Sequence, residues 1–253
     1  MRIKILYEDK DILAIDKPSG ISVHSDGRTK EKTIADWVLK KYPKTKNVGE
    51  PIYTKVSSSS EDEGKTFVIY RPGIVHRLDK DTSGVLIIVK NKKAFAYFKK
   101  QFMDREIKKV YNAIVLGWAK NDHDTIRKPI GRSPSDFRKK LAGRGARGEL
   151  REAVTEYSVL KRFEDRGNRF TYLEVRPKTG RTHQIRVHMK FINHPVSGDP
   201  LYNPGKPHPK GLDRLALHAK SIEFNLPAQT GDLKGKTIKV ESPLPPEFKK
   251  VLK

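Results

Sequence analysis

Hydrophobic residues fall in short runs separated by charged turns, and helical spacing is confined to a few segments. Residues 3–7 and Ile12–Lys17 flank Glu8-Asp9-Lys10-Asp11 and read as a β-hairpin. Val85-Leu86-Ile87-Ile88-Val89 is apolar at every position and mostly β-branched, the pattern of a strand buried on both faces. Lys108–Leu116 alternates, with Lys109, Tyr111, Ala113 and Val115 on one face and Val110, Asn112, Ile114 and Leu116 on the other. Residues 153–161 and 170–175 read as paired strands around a turn at 164–168, and 215–224 as a further strand. Thr33 caps a helix to about Tyr42, with Ile34, Trp37 and Val38 inward. Residues 92–104 form a second helix with Phe95, Phe98 and Phe102 as its core stripe. A third follows Gly180, capped by Thr182, with Ile185, Met189 and Ile192 inward and His183, Arg186 and Lys190 on an adjacent face. A Pro-rich turn and short helix occupy 241–253. Strands outnumber helices without regular alternation, which predicts an α+β fold with a largely antiparallel sheet.

Two polar stretches break the pattern and are expected to be inserted loops, at about 44–66 and 129–151, within one domain spanning 1–253. The first carries Ser57-Ser58-Ser59-Ser60 followed by Glu61-Asp62-Glu63-Gly64. The second sets Arg132, Arg138, Lys139, Lys140, Arg144, Arg147 and Arg151 among glycines, a composition able to reach phosphates and mould to RNA.

Charge narrows the partner. With 53 Lys+Arg against 30 Asp+Glu, the formal net charge of +23 points to a polyanion, nucleic acid ahead of an anionic membrane. The absence of cysteine excludes disulfides and thiolate zinc sites. No apolar run is long enough to span a bilayer and the N-terminus does not read as a secretory signal, so a cytoplasmic protein with no membrane partner is expected.

The candidate chemistry centres on Gly73–Gly84, GIVHRLDKDTSG, where a charged turn leads straight into the buried strand. Arg77 and Lys80 favour the ionised form of Asp79, which suits a nucleophile or base. Local sequence leaves two roles open for Asp79, catalysis or an ion pair with Arg77, and makes Asp81 a loop brace. Lys17, in Asp16-Lys17-Pro18-Ser19-Gly20, reads locally as a solvated strand end, and Tyr111 as a strand residue packed on the sheet. In Gly180-Arg181-Thr182-His183-Gln184-Ile185-Arg186-Val187-His188-Met189 a helix start flanked by Lys178 and Arg181 could hold an anion. His183 and His188 are five apart, not the four of a helical zinc pair, so no metal is expected. The HRLD sequence is one residue out of register with a kinase HRD, and no glycine-rich loop or DFG accompanies it.

HRLDKDTSG, with DKPSGISVH before it and KKVYNAIVLG and GRTHQIRVHM after it, resembles the RluA family of RNA pseudouridine synthases in block order and spacing. The resemblance implies a large mixed, mostly antiparallel sheet flanked by helices around a central RNA-binding cleft, without the N-terminal RNA-binding module of many relatives. It implies cofactor-free isomerisation of uridines in ribosomal or transfer RNA, by base flipping and an essential Asp. Asp79 is then the essential carboxylate, Arg186 its ion-pair partner, and Tyr111 the residue stacked on the uracil. Arg77 fills the space left by the flipped base, and His76, Arg181, Lys17 and His183 are further RNA contacts. A monomer is expected. The rival is a non-catalytic RNA-binding protein, which the charge alone permits but which gives no reason for a strand-mounted Asp.

Overall fold

The computed structural model describes residues 1–25, 31–55, 66–227 and 235–253. Two compact units divide the chain: Met1–Glu106 with Asn225–Val240, and Ile107–Phe224 with Glu241–Lys253.

The first unit is built on an antiparallel sheet of β1 (Lys4–Glu8), β2 (Ile12–Lys17) and β5 (Ser83–Val89). The predicted hairpin forms because Asp9 closes its turn, its carboxylate accepting the Asp11 and Ile12 N–H groups at 2.8 Å each. β2 pairs with β5 from Ile12–Val89 to Lys17–Gly84, and every residue of β5 is buried, as its unbroken apolar run required. Thr33 caps α1 (Ile34–Lys41) in a reciprocal capping box with Asp36. Ile34 and Val38 are buried as expected, while Ala35 takes the place expected of Trp37, which is only half-buried. Asn91 caps α2 (Lys92–Met103), whose buried residues are Ala94, Phe98 and Gln101; Phe95 and Phe102 are half-buried at the stripe's edge. The first expected loop contains strand: β3 (Ile52–Lys55) and β4 (Thr66–Ile69) pair antiparallel. Its serine-rich and acidic runs lie outside the described residues. Gly73 is required by its backbone. Its φ is +64°, and a Cβ there would lie 2.0 Å from the Val89 carbonyl oxygen.

The second unit is a sheet in the order β13 (Leu217–Asn225), β6 (Lys108–Leu116), β12 (Asn168–Pro177), β11 (Val154–Asp165), β7 (His123–Arg127), again antiparallel throughout. β6 matches its expected span. β11 and β12 run further than the sequence pattern indicated, to a two-residue turn at Arg166 (φ 49°) and Gly167 (φ 71°), with Phe163 stacked on Phe170 beside it. One face carries Ala113, Leu173 and Val175, which share a buried apolar cluster with Ile185 and Met189 of α3 (Gln184–Phe191). The second expected loop is nearly half strand: β8 (Ile130–Arg132), β9 (Lys140–Ala142) and β10 (Arg147–Arg151) form a separate three-stranded sheet. Its root is a small apolar cluster of Ile130, Ala142, Ala153, Val187 and Tyr202. The chain closes with β14 (Thr237–Glu241) and the expected short helix, α4 (Pro246–Leu252).

His218 on β13 is almost fully buried near the Phe248 ring of α4. Burial, then the positive charges of Arg214 and Lys220, lower its pKa to about 4, against the opposing Ser242 bond and Glu247 charge. An unfolded histidine titrates near 6.5, so between about pH 4 and 6.5 the unfolded chain binds more protons and stability rises with pH. Chemical denaturation is expected to show roughly 3 kcal/mol lost on acidifying from pH 7 to 4, and a smaller loss in His218→Gln. A flat wild-type profile over that range would contradict it.

Candidate active site

The Asp79 loop is held by its main chain. Lys17 is fully buried, and its ammonium donates to the carbonyl oxygens of Pro18 (2.9 Å), Ile21 (2.7 Å) and Lys80 (2.8 Å). The Gly20 N–H also reaches Lys80 O at 3.0 Å, the Ser19 hydroxyl reaches Asp81 O at 2.7 Å, and the Thr82 N–H returns to Asp79 O at 3.1 Å. The DKPSG turn is therefore a clamp on the residues that follow Asp79. Asp79 itself is half-buried, between buried Leu78 and the buried start of β5. This corrects the local reading of Lys17 as a solvated strand end. It also moves the brace at Asp81 from the side chain to the carbonyl. Lys17→Met is expected to remove one donor from each of the three carbonyls, leaving Lys80 O only the Gly20 N–H, and to lower stability by about 2 to 3 kcal/mol, measured by urea denaturation. An unchanged denaturation midpoint would refute the clamp.

Arg77 is exposed and lines a cavity of about 350 Å³ with Ser22, His24, Thr33, Leu78 and Lys80. Burial, with some repulsion from Arg77 and Arg71, lowers the His24 pKa, so this imidazole is held toward its neutral form. His24 lies within DKPSGISVH, yet nothing local distinguished it from a strand-end residue. His76 points elsewhere: its Nε2 accepts the Ile87 N–H at 2.9 Å and its ring stacks on Phe102, centroids 4.8 Å apart. These contacts make it a brace between the loop, β5 and α2.

In the second unit, Arg186 is buried and its guanidinium grips Asp199 in a two-pronged pair, Nε to Oδ2 at 2.7 Å and Nη2 to Oδ1 at 2.8 Å. Asp199 Oδ1 also accepts the N–H groups of Leu201 and Tyr202, and the Tyr202 ring lies 5.1 Å beneath the guanidinium carbon. The Tyr202 hydroxyl meets His183 Nδ1 at 2.9 Å and accepts the Lys140 N–H at 2.8 Å. One tyrosine thus joins Arg186, His183 and the root of β9. Neither Asp199 nor Tyr202, both in the loop that follows α3, was singled out from the sequence. The pattern offered one clue to that loop, Gly198, whose φ of +65° and 2.2 Å approach to Arg214 O admit no side chain.

The start of α3 differs from expectation. His183, not Thr182, is the capping residue, in a left-handed conformation (φ 57°) without a side-chain cap. Gln184 organises the turn: its Oε1 accepts the Thr179 hydroxyl and Arg181 N–H, and its Nε2 donates to Val154 O and Thr155 Oγ1. His188 completes the network. Its Nε2 faces Lys128 O, so that nitrogen carries the proton, and Nδ1 accepts from the Thr155 hydroxyl. Burial depresses its pKa and keeps it neutral. Lys178 is engaged by Glu156 at 2.8 Å, whereas Arg181 donates from Nε to the Glu152 carbonyl and keeps its charge, so one of the two cations expected to flank the anion site is paired. Of the expected face of His183, Arg186 and Lys190, His183 lies outside α3, and the three are half-buried, buried and exposed in turn.

Tyr111 sits mid-strand on β6, opposite Val175 and Ala219, half-buried against the core. Lys109, two residues away on the same face, lies 3.4 Å from Thr179 O, and burial lowers its pKa to about 8. No cluster of His, Asp and Glu among the described residues could hold a metal.

Residues 11–191 match the family model described as RNA pseudouridylate synthase. The chain is 35% identical over its whole length to an uncharacterized RNA pseudouridine synthase of Bacillus subtilis, covering 72% of that protein. It is 34% identical to ribosomal large subunit pseudouridine synthase D of Xanthomonas campestris, over 99% of this chain and 68% of the relative. Among solved structures it resembles human RNA pseudouridylate synthase domain containing 4, with a TM-score of 0.69 and 26% identity over 98% of this chain and 91% of that one.

Proposed function

Because this chain belongs to the RNA pseudouridylate synthase family, whose members convert uridine to pseudouridine in RNA, we propose that its substrate is large-subunit ribosomal RNA and that Asp79 is the essential carboxylate. The reaction breaks the glycosidic bond, turns the uracil and rejoins it through carbon. It changes no oxidation state and consumes no co-substrate. Its demands are a fixed carboxylate, a cation to match it, and a base taken out of its stack.

The observation that carries the reading is the clamp of Lys17, Ser19 and Gly20 on the peptide oxygens following Asp79. A surface ion pair needs no such mounting, whereas a reacting carboxylate needs a fixed position. In the proposed roles Arg186 supplies the matching guanidinium, held flat by Asp199 and the Tyr202 ring. Tyr111 lies against the uracil, and Arg77 enters the gap that the flipped base leaves. Lys17 and His76 act through the loop's position instead of touching RNA. Arg181 and His183 set the approach to α3.

The naming of relatives as ribosomal large subunit synthases favours ribosomal over transfer RNA. The test is incubation of the purified protein with unmodified large-subunit ribosomal RNA and, separately, with unmodified transfer RNA, followed by mapping of pseudouridine. Product in the ribosomal transcript alone is expected; product confined to transfer RNA would overturn the substrate proposal and leave the chemistry standing.

A further inference from the structure

Phe137 is the most exposed large apolar side chain among the described residues, at 80%. Scattered exposed apolar residues are ordinary, but the setting of this one is not. It sits in the turn joining β8 to β9, and that turn is tightly built. Asp136 Oδ1 accepts the Arg138 N–H at 2.9 Å, its carboxylate takes a two-pronged contact from the Arg138 guanidinium, and the Lys139 N–H returns to Asp136 O at 2.9 Å. At the other end the hairpin is rooted by the apolar cluster of Ile130, Ala142 and Tyr202, and the Tyr202 hydroxyl also accepts the Lys140 N–H beside the turn. The ring is thus presented on an ordered hairpin, so holding it against a partner costs little further entropy.

The surroundings state what that partner is. Residues 129–151 carry seven cations, Arg132, Arg138, Lys139, Lys140, Arg144, Arg147 and Arg151, and two carboxylates, Asp136 and Glu149. Both carboxylates are neutralised locally, Asp136 by Arg138 and Glu149 by Arg151. Arg132, Arg144 and Arg147 are exposed and have no carboxylate partner among the described residues. Leu141 and Leu150 are the arm's other exposed apolar side chains, but an apolar partner would have to desolvate three unpaired arginines beside them. An exposed aromatic ring on an arm rich in cations fits a polyanion that carries its own flat aromatic groups.

We infer that the β8–β9 hairpin is an RNA-docking arm on which Phe137 stacks against an unpaired nucleobase of the substrate other than the reacting uridine, while Arg132, Arg144 and Arg147 take the flanking phosphates. The inference rests on the RNA substrate of the family reading, and not on the role of Asp79. The arm supplies grip and register; it takes no part in bond rearrangement.

The test uses unmodified large-subunit ribosomal RNA transcribed in vitro, read by filter binding and by steady-state kinetics at fixed salt. Phe137→Ala is expected to weaken binding and raise KM about tenfold with kcat unchanged. Phe137→Leu should behave like Ala, since it keeps hydrophobicity without a π face, and Phe137→Trp should bind like the wild type with its fluorescence quenched by RNA. Arg144→Ala should weaken binding and flatten its salt dependence. Wild-type affinity in Phe137→Ala would overturn the inference, as would a defect seen only on protein-containing ribosomal particles, which would assign the ring to a protein partner. Asp79→Asn run alongside separates the two readings: loss of product with intact binding upholds the synthase assignment whatever Phe137 does. Filter binding reports on Phe137 even if the transcript is not turned over.

Discussion

Asp79→Asn is expected to fold, to bind RNA, and to form no detectable pseudouridine. The substitution keeps the shape of the side chain and removes its charge. The hold on the loop runs through peptide oxygens of Asp79, Lys80 and Asp81, which the change leaves in place. Stability should therefore shift by no more than about 1 kcal/mol, the ordinary range for a change that leaves packing intact. Catalysis should fall by at least about a thousandfold, as for loss of the group on which a reaction turns. Mass spectrometry of digested RNA gives the product count and thermal denaturation the fold. Turnover within a few-fold of wild type would remove Asp79 from the chemistry.

Asp199→Ala is expected to be the most destabilising single change in the second unit. It leaves the buried Arg186 guanidinium without the carboxylate that takes two of its hydrogen bonds, and it orphans the Leu201 and Tyr202 N–H groups. Breaking a buried pair from one side costs about 3 to 5 kcal/mol, because the remaining charge stays out of water. For a protein of this length that is a fall in Tm of about 10 °C. Asp199→Asn should fall between Ala and wild type, since its amide oxygen can still accept. A double change of Arg186→Met with Asp199→Leu should regain much of the loss and be inactive, because it removes both charges together. If Asp199→Ala melts within 2 °C of wild type, the pair does not hold Arg186 in place.

Those two residues also mark the limits of reading the chain unaided. Asp79 was legible because its signal is local: a charged turn beside an unbroken apolar run. β2, β5, β6 and α2 were legible for the same reason, since burial imprints its period on consecutive residues. Asp199 and Tyr202 act across sequence gaps of 13 and 19 residues, to Arg186 and His183, and no local period records such a partner. Lys17 misled because its aliphatic stem and buried ammonium have the same letter as a surface lysine. The arm at 129–151 misled because its strands are three to five residues long and two of them contain glycine and arginine, so their alternation is lost among turn signals. The cap of α3 went to His183 because Gln184, folded back on Val154 and Thr179, had already organised the turn.

The grip on the Asp79 loop has a bearing on how such enzymes diversify. Peptide oxygens are the same whatever amino acid bears them, so positions 80 and 81 can exchange side chains without loosening the mounting. The mounting of the carboxylate is therefore independent of which side chains stand at those two positions. A fixed group and replaceable neighbours can occupy adjacent residues.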